Sequence, residues 1–176
     1  MMTRQRYESA AKFAEFIERA ESNQELWRSV YDRVQLPAEL VDRASQLPAR
    51  HLAVLAEDWC GDAVNTVPVL ARLAEAVPGM SLRLFPRDLN ADLMDAHLTE
   101  GARAIPVVIV LDEDFREVTW WGPRPLPLQA WVTTDGQELA RDERYPEMRR
   151  WYARDRGRST LEEVVARMEH TAMQVA

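Results

Sequence analysis

The chain has one cysteine, Cys60, and one lysine, Lys12, in 176 residues. A lone cysteine cannot close an internal disulfide, which excludes the stapled scaffold of small secreted domains. The three histidines, His51, His97 and His170, are scattered. None has ligand spacing to Cys60, so no metal site is expected. No apolar run approaches a membrane span, and the N-terminal MMTRQRYESAAKF lacks the continuous apolar segment of a secretory signal. The expected location is the cytoplasm. Repeats, low-complexity stretches, phosphate-cradling glycine loops and GxSxG elbows are also missing. The net charge of −7 at pH 7 argues against non-specific binding to nucleic acid or to an anionic membrane.

What remains is an ordinary globular composition, 47% hydrophobic and 29% charged, in a length that suits one domain with a sizeable core. Residues 1–49 read as a helical extension. Tyr7, Ala10, Ala14 and Ile17 recur at helical spacing. Ser22 with Glu25 matches a capping box opening a second helix, and Pro37 suits the first turn of a third. From His51 to Glu57 the chain reads as a buried strand. Gly61 to Val77 reads as a helix kinked at Pro68, and Ser81 to Arg87 as a second strand, so a parallel crossover is expected. Asp88 to Thr99 is expected to be helical and closed by Gly101. Ile105 to Leu111 is the most strand-like run. Its proline is compatible with a central strand only at the first position, in a tight turn that suits a cis bond. Arg116 to Trp121 returns antiparallel, and Trp120 and Trp121 are expected to close the core. Residues 123–176 read as helices, with Ser159 and Glu162 repeating the capping-box pattern. Met148, Trp151 and Tyr152 form the apolar face of an arginine-rich surface helix.

Cys60 stands where a strand gives way to a helix N-terminus, a position that favours a thiolate. Glu57, Asp58 and Asp62 work against it by like-charge repulsion. The stretch Trp59-Cys60-Gly61-Asp62 resembles the start of the thioredoxin active site, Trp-Cys-Gly-x-Cys. Pro68 matches the proline inside the following helix, and Gly101 to Val107 is similar to the Gly-x-Arg-x-Ile-Pro segment whose proline is cis. The resemblance covers about Leu52 to Trp121 plus one C-terminal helix, with the thioredoxin-like core set at 50–122, and the two helical extensions resemble a bacterial thioredoxin-like subfamily. It implies an α/β thioredoxin-like fold, a mixed sheet of about four strands flanked by helices. It also implies that Pro106 faces Cys60. Two positions depart from the pattern. Ala63 replaces the resolving cysteine, and Val54 stands where many thioredoxins bury an aspartate.

Two functions follow as expectations. In the first, Cys60 is a single nucleophile that forms mixed disulfides with glutathione, another small thiol or a partner protein. Trp59, Gly61, Asp62, Ala63, Ile105 and Pro106 then line the substrate site, and no cofactor is needed beyond a small thiol as co-substrate. In the second, the groove near Cys60 and Pro106 holds a partner without redox chemistry. Arg103 is a further candidate for substrate contact, and Asp62 a complement to the helix dipole. Monothiol glutaredoxins bind glutathione through a lysine shortly before the cysteine. Lys12 is far from Cys60, so an iron–sulfur role is not expected. Oligomeric state has no signature in the sequence.

Overall fold

The apolar run before Cys60 forms strand β1, Arg50–Ala56, in a computed structural model that describes residues 2–175. β1 pairs parallel with β2 (Met80–Pro86) and antiparallel with β3 (Val107–Leu111). Beyond β3 lies the antiparallel β4 (Glu117–Trp121), so the order is β2-β1-β3-β4. β1 and β3 are apolar almost throughout because, as inner strands, both of their faces are covered.

Register decides which helix covers which face. His51 pairs with Ser81 and Leu111, and Leu55 with Phe85, so these side chains share one face. The Tyr7 ring of α1 (Arg4–Ser9) lies against His51, Phe85 and Phe115, and its hydroxyl bonds to Ser81 Oγ at 2.8 Å. Trp121 pairs with Val108, on the face of Val54. Its indole N–H donates to Glu163 of α9 (Arg158–Val175) at 2.7 Å, which sets α9 on the opposite face from α1. The same helix packs on α4 (Ala38–Ser45) and on α5 (Gly61–Ala76), and α5 also carries α3 (Gln24–Arg33). At Gly157, in the turn before α9, φ is +80° and a Cβ would sit 2.5 Å from Val69 of α5, so only glycine lets this turn press so close.

Several local expectations are corrected. The stripe begun at Tyr7 is two helices, α1 and α2 (Phe13–Arg19). Between them Ala11 leaves helical geometry and accepts the Leu84 N–H at 2.8 Å, an isolated antiparallel bridge to β2. Ser22 caps nothing. The N-cap of α3 is Asn23, in left-handed geometry, and the Ser22 N–H goes instead to Asp58 at 2.9 Å. Asp88 to Thr99 holds only a 3₁₀ turn and the short α6 (Ala91–Asp95), because the Asn90 backbone is not helical. The C-terminal helices are α7 (Leu126–Thr133), α8 (Arg141–Asp155) and α9. Ser159 donates its hydroxyl to Asp155 rather than capping with Glu162, which pairs with Arg158.

Candidate functional site

β1 delivers the chain to a turn at Glu57–Trp59, where the Cys60 N–H closes on the Glu57 carbonyl at 3.1 Å. Cys60 is then the N-cap of α5, and its Sγ accepts the Ala63 N–H at 3.5 Å. The thiol in turn donates to the Ile105 carbonyl at 3.4 Å. The Ile105–Pro106 peptide is cis, as is Gly122–Pro123. This contact sets Ile105–Pro106 against Cys60, and it also engages the Ile105 carbonyl that an extended ligand would otherwise find free. Gly122 makes the approach possible. Its φ is +138°, and a Cβ there would lie 2.2 Å from the Pro106 carbonyl oxygen.

Burial decides between the opposing effects on the thiol. Burial pushes the Cys60 thiol up, the Ala63 N–H opposes this, and the Asp62 charge adds to it. Asp62 is thus the flanking acid that acts on the thiol. Asp58 is spent elsewhere: its carboxylate accepts the Glu21 and Ser22 N–H groups, and its carbonyl accepts the Trp27 indole N–H. Glu57 accepts the Asp88 N–H at 3.1 Å. Both acids therefore tie neighbouring segments to the Cys60 turn.

Asp62 does more than complement a dipole. It is buried, it meets Arg124 at 2.7 Å, and it accepts the Tyr152 hydroxyl of α8 at 2.8 Å. Burial pushes its carboxyl up, against the pull of Arg124 and Tyr152. Burial and the adjacent Asp62 push the Tyr152 phenol up, so it stays a donor. Arg124 and Tyr152 are the residues that pattern reading missed. One signal was available: a tyrosine on a buried helix face needs a partner for its hydroxyl.

These groups open onto a cleft of about 990 Å³. Its floor is Cys60, Gly61 and Asp62, and α8 supplies a wall through Arg141, Tyr145 and Arg149. Arg103 and Ile105 complete the other side. Trp59 stands on the rim, 51% exposed, with the Arg87 guanidinium 5.1 Å from its ring, so it is not core packing. Gly61 has open space where a Cβ would be. Ala63 and Pro106 are buried, and neither lines the cleft. Arg103 lines the cleft but is held by Asp95 through bonds of 2.7 and 2.8 Å. The histidines stay outside this group: His51 stacks on Phe115, and His97 bonds Glu117. Among the described residues no cluster of His, Cys, Asp and Glu could hold a metal ion, and no helix is long and apolar enough to cross a membrane.

Residues 10–149 match the family model described as Thioredoxin. The chain belongs to the thioredoxin family. The structure of this thioredoxin-family chain is similar to that of a protein of unknown function from Pseudomonas aeruginosa. The TM-score is 0.76 at 22% identity, with 98% of this chain and 100% of that one covered. It is also similar to an HIV epitope-scaffold, with a TM-score of 0.75 at 19% identity over 96% and 99% of the two chains. At these identities the likeness concerns the fold. No curated protein matches significantly.

Proposed function

We propose that this thioredoxin-family protein is a monothiol exchange protein that uses Cys60 as its single nucleophile. The observation that carries this reading is the environment of Sγ: at the floor of an open cleft, on the N-cap of α5, donating to the Ile105 carbonyl of the cis Ile105–Pro106 peptide. In the resting state the thiol is protonated and donates to Ile105. A disulfide lying along Ile105–Pro106 would take over that carbonyl and bring its sulfur to Sγ. Loss of the thiol proton to solvent gives the thiolate. The thiolate attacks one sulfur of the bound disulfide, whose S–S bond breaks and releases the other half as a thiolate. With Ala63 in the resolving position there is no internal resolution. A second small thiol must then attack the mixed disulfide to regenerate Cys60.

Raised basicity makes this a slow thiol at neutral pH, but each thiolate formed is the stronger nucleophile. The same raised thiol favours a second reading, a groove that holds a partner with no exchange.

Alkylation of Cys60 against pH, followed by intact mass after oxidised glutathione, separates the two. Both readings expect a midpoint above the ordinary thiol value of about 8.5, and only the exchange reading expects a reducible adduct. The adduct is absent in Cys60→Ser. If no adduct forms even where the thiolate predominates, the exchange reading fails and the groove alone stands.

A further inference from the structure

The cleft is cationic on an acidic chain. Five arginines line it, Arg87, Arg103, Arg124, Arg141 and Arg149, against two acids, Asp62 and Asp142, in a protein of net charge −7. Three of the five are committed: Arg87 to Asp88, Arg103 to Asp95 and Arg124 to Asp62. Arg141 and Arg149 are not. Both are exposed, and neither makes an ion pair among the described residues. They are spaced with Tyr145 at intervals of four along α8, so the three share one helix face, and all three line the cleft. The Arg141 guanidinium lies 5.2 Å from the Tyr145 ring, which braces it without neutralising it. Asp142 is the one acid of α8 among the lining residues.

We infer that the Arg141–Tyr145–Arg149 face of α8 is an anion subsite, and that the disulfide reaching Cys60 is that of a small acidic thiol. This rests on the exchange reading above. A cleft of about 990 Å³ suits a small molecule rather than a folded partner. The occupant's sulfur meets Sγ on the floor, while its carboxylates lie against the two arginines of the wall. The balance is that of ordinary exchange. One S–S bond of the acidic disulfide breaks and one forms to Cys60. The departing half leaves as a thiolate, and the Cys60 proton goes to solvent. A second small thiol reverses the step.

The test measures Cys60 adduct formation by intact mass at mildly alkaline pH with three symmetric disulfides. Oxidised glutathione is anionic, hydroxyethyl disulfide neutral and cystamine cationic. Each rate is divided by that of free cysteine with the same disulfide, which removes intrinsic reactivity. The anionic probe should lead, the cationic one should trail, and the anionic advantage should shrink as salt is added. In the doubly substituted Arg141→Gln, Arg149→Gln chain, the anionic-to-neutral ratio should fall about tenfold, the loss expected of two exposed ion pairs. Equal normalised rates, or a ratio that ignores both salt and the double substitution, would overturn the subsite while leaving the exchange reading intact. No adduct with any of the three would sink the exchange reading, and the subsite with it.

Discussion

Removing Arg124 tests the polar cluster beneath the cleft. Arg124→Met keeps an unbranched apolar stem and deletes the guanidinium with its charge, leaving the buried Asp62 carboxylate with the Tyr152 hydroxyl alone. Breaking a buried ion pair from one side costs about 3–5 kcal/mol. Arg124 keeps 20% side-chain exposure and Tyr152 goes on donating, so the lower end is expected, about 3 kcal/mol near neutral pH. The loss should depend on pH in a definite direction. Burial already holds the Asp62 carboxyl above its ordinary value, so the folded state binds more protons than the unfolded one. That contribution is fully present below the unfolded value and is lost as pH rises from there through the folded value. Without Arg124 the carboxyl moves further up, so the gap between variant and wild type widens from acid to neutral pH. Urea unfolding followed by tryptophan fluorescence at about pH 5 and pH 7.5 reads both quantities. Adding Asp62→Asn to Arg124→Met removes the stranded charge and should recover most of the loss. A single variant within about 0.5 kcal/mol of wild type, or a loss equal at the two pH values, would refute the reasoning.

Gly122→Ala should destabilise by about 3 kcal/mol, combining strain at a φ of +138° with a clash against the Pro106 carbonyl, and should disturb Cys60 alkylation as well. Gly61→Ala is the contrast. Its Cβ meets open space, so urea unfolding should show equal or greater stability, by up to about 1 kcal/mol. Ala63→Cys should yield a reducible internal disulfide under mild oxidation, because the Ala63 N–H already lies 3.5 Å from Sγ. Two free thiols persisting by mass spectrometry would show that the turn places residue 63 wrongly.

What could be read in the sequence was what repeats over short distances. The inner strands announced themselves as apolar runs, and β1, α5 and β2 fell within a residue or so of expectation. The cis turn at Pro106 was legible because a central strand has no room for a proline elsewhere. Local cap patterns misled where a distant group competed. Ser22 and Glu25 look like a capping box, but Asp58 reaches across and takes the Ser22 N–H. Helical spacing over Tyr7 to Ile17 concealed the break at Ala11, since a bridge to β2 leaves no trace in periodicity. The Asp62–Arg124–Tyr152 cluster joins residues 62 and 90 positions apart from Asp62, and no spacing rule spans that. The arginine-rich face of α8 is solvated, as expected of a surface helix, but the cleft it shares with Cys60 joins residues far apart in the chain and had no local signal.

The bridge at Ala11 also bears on how the molecule avoids its own kind. β2 is an outer strand, and an outer strand offers its unpaired donors and acceptors to any passing chain. Ala11 occupies one of those donors, the Leu84 N–H, at the middle of the strand, and α2 packs beside it. A foreign strand would have to evict this segment before it could lengthen the sheet there. The N-terminal extension thus covers that border at its midpoint, where an added strand would need the Leu84 N–H.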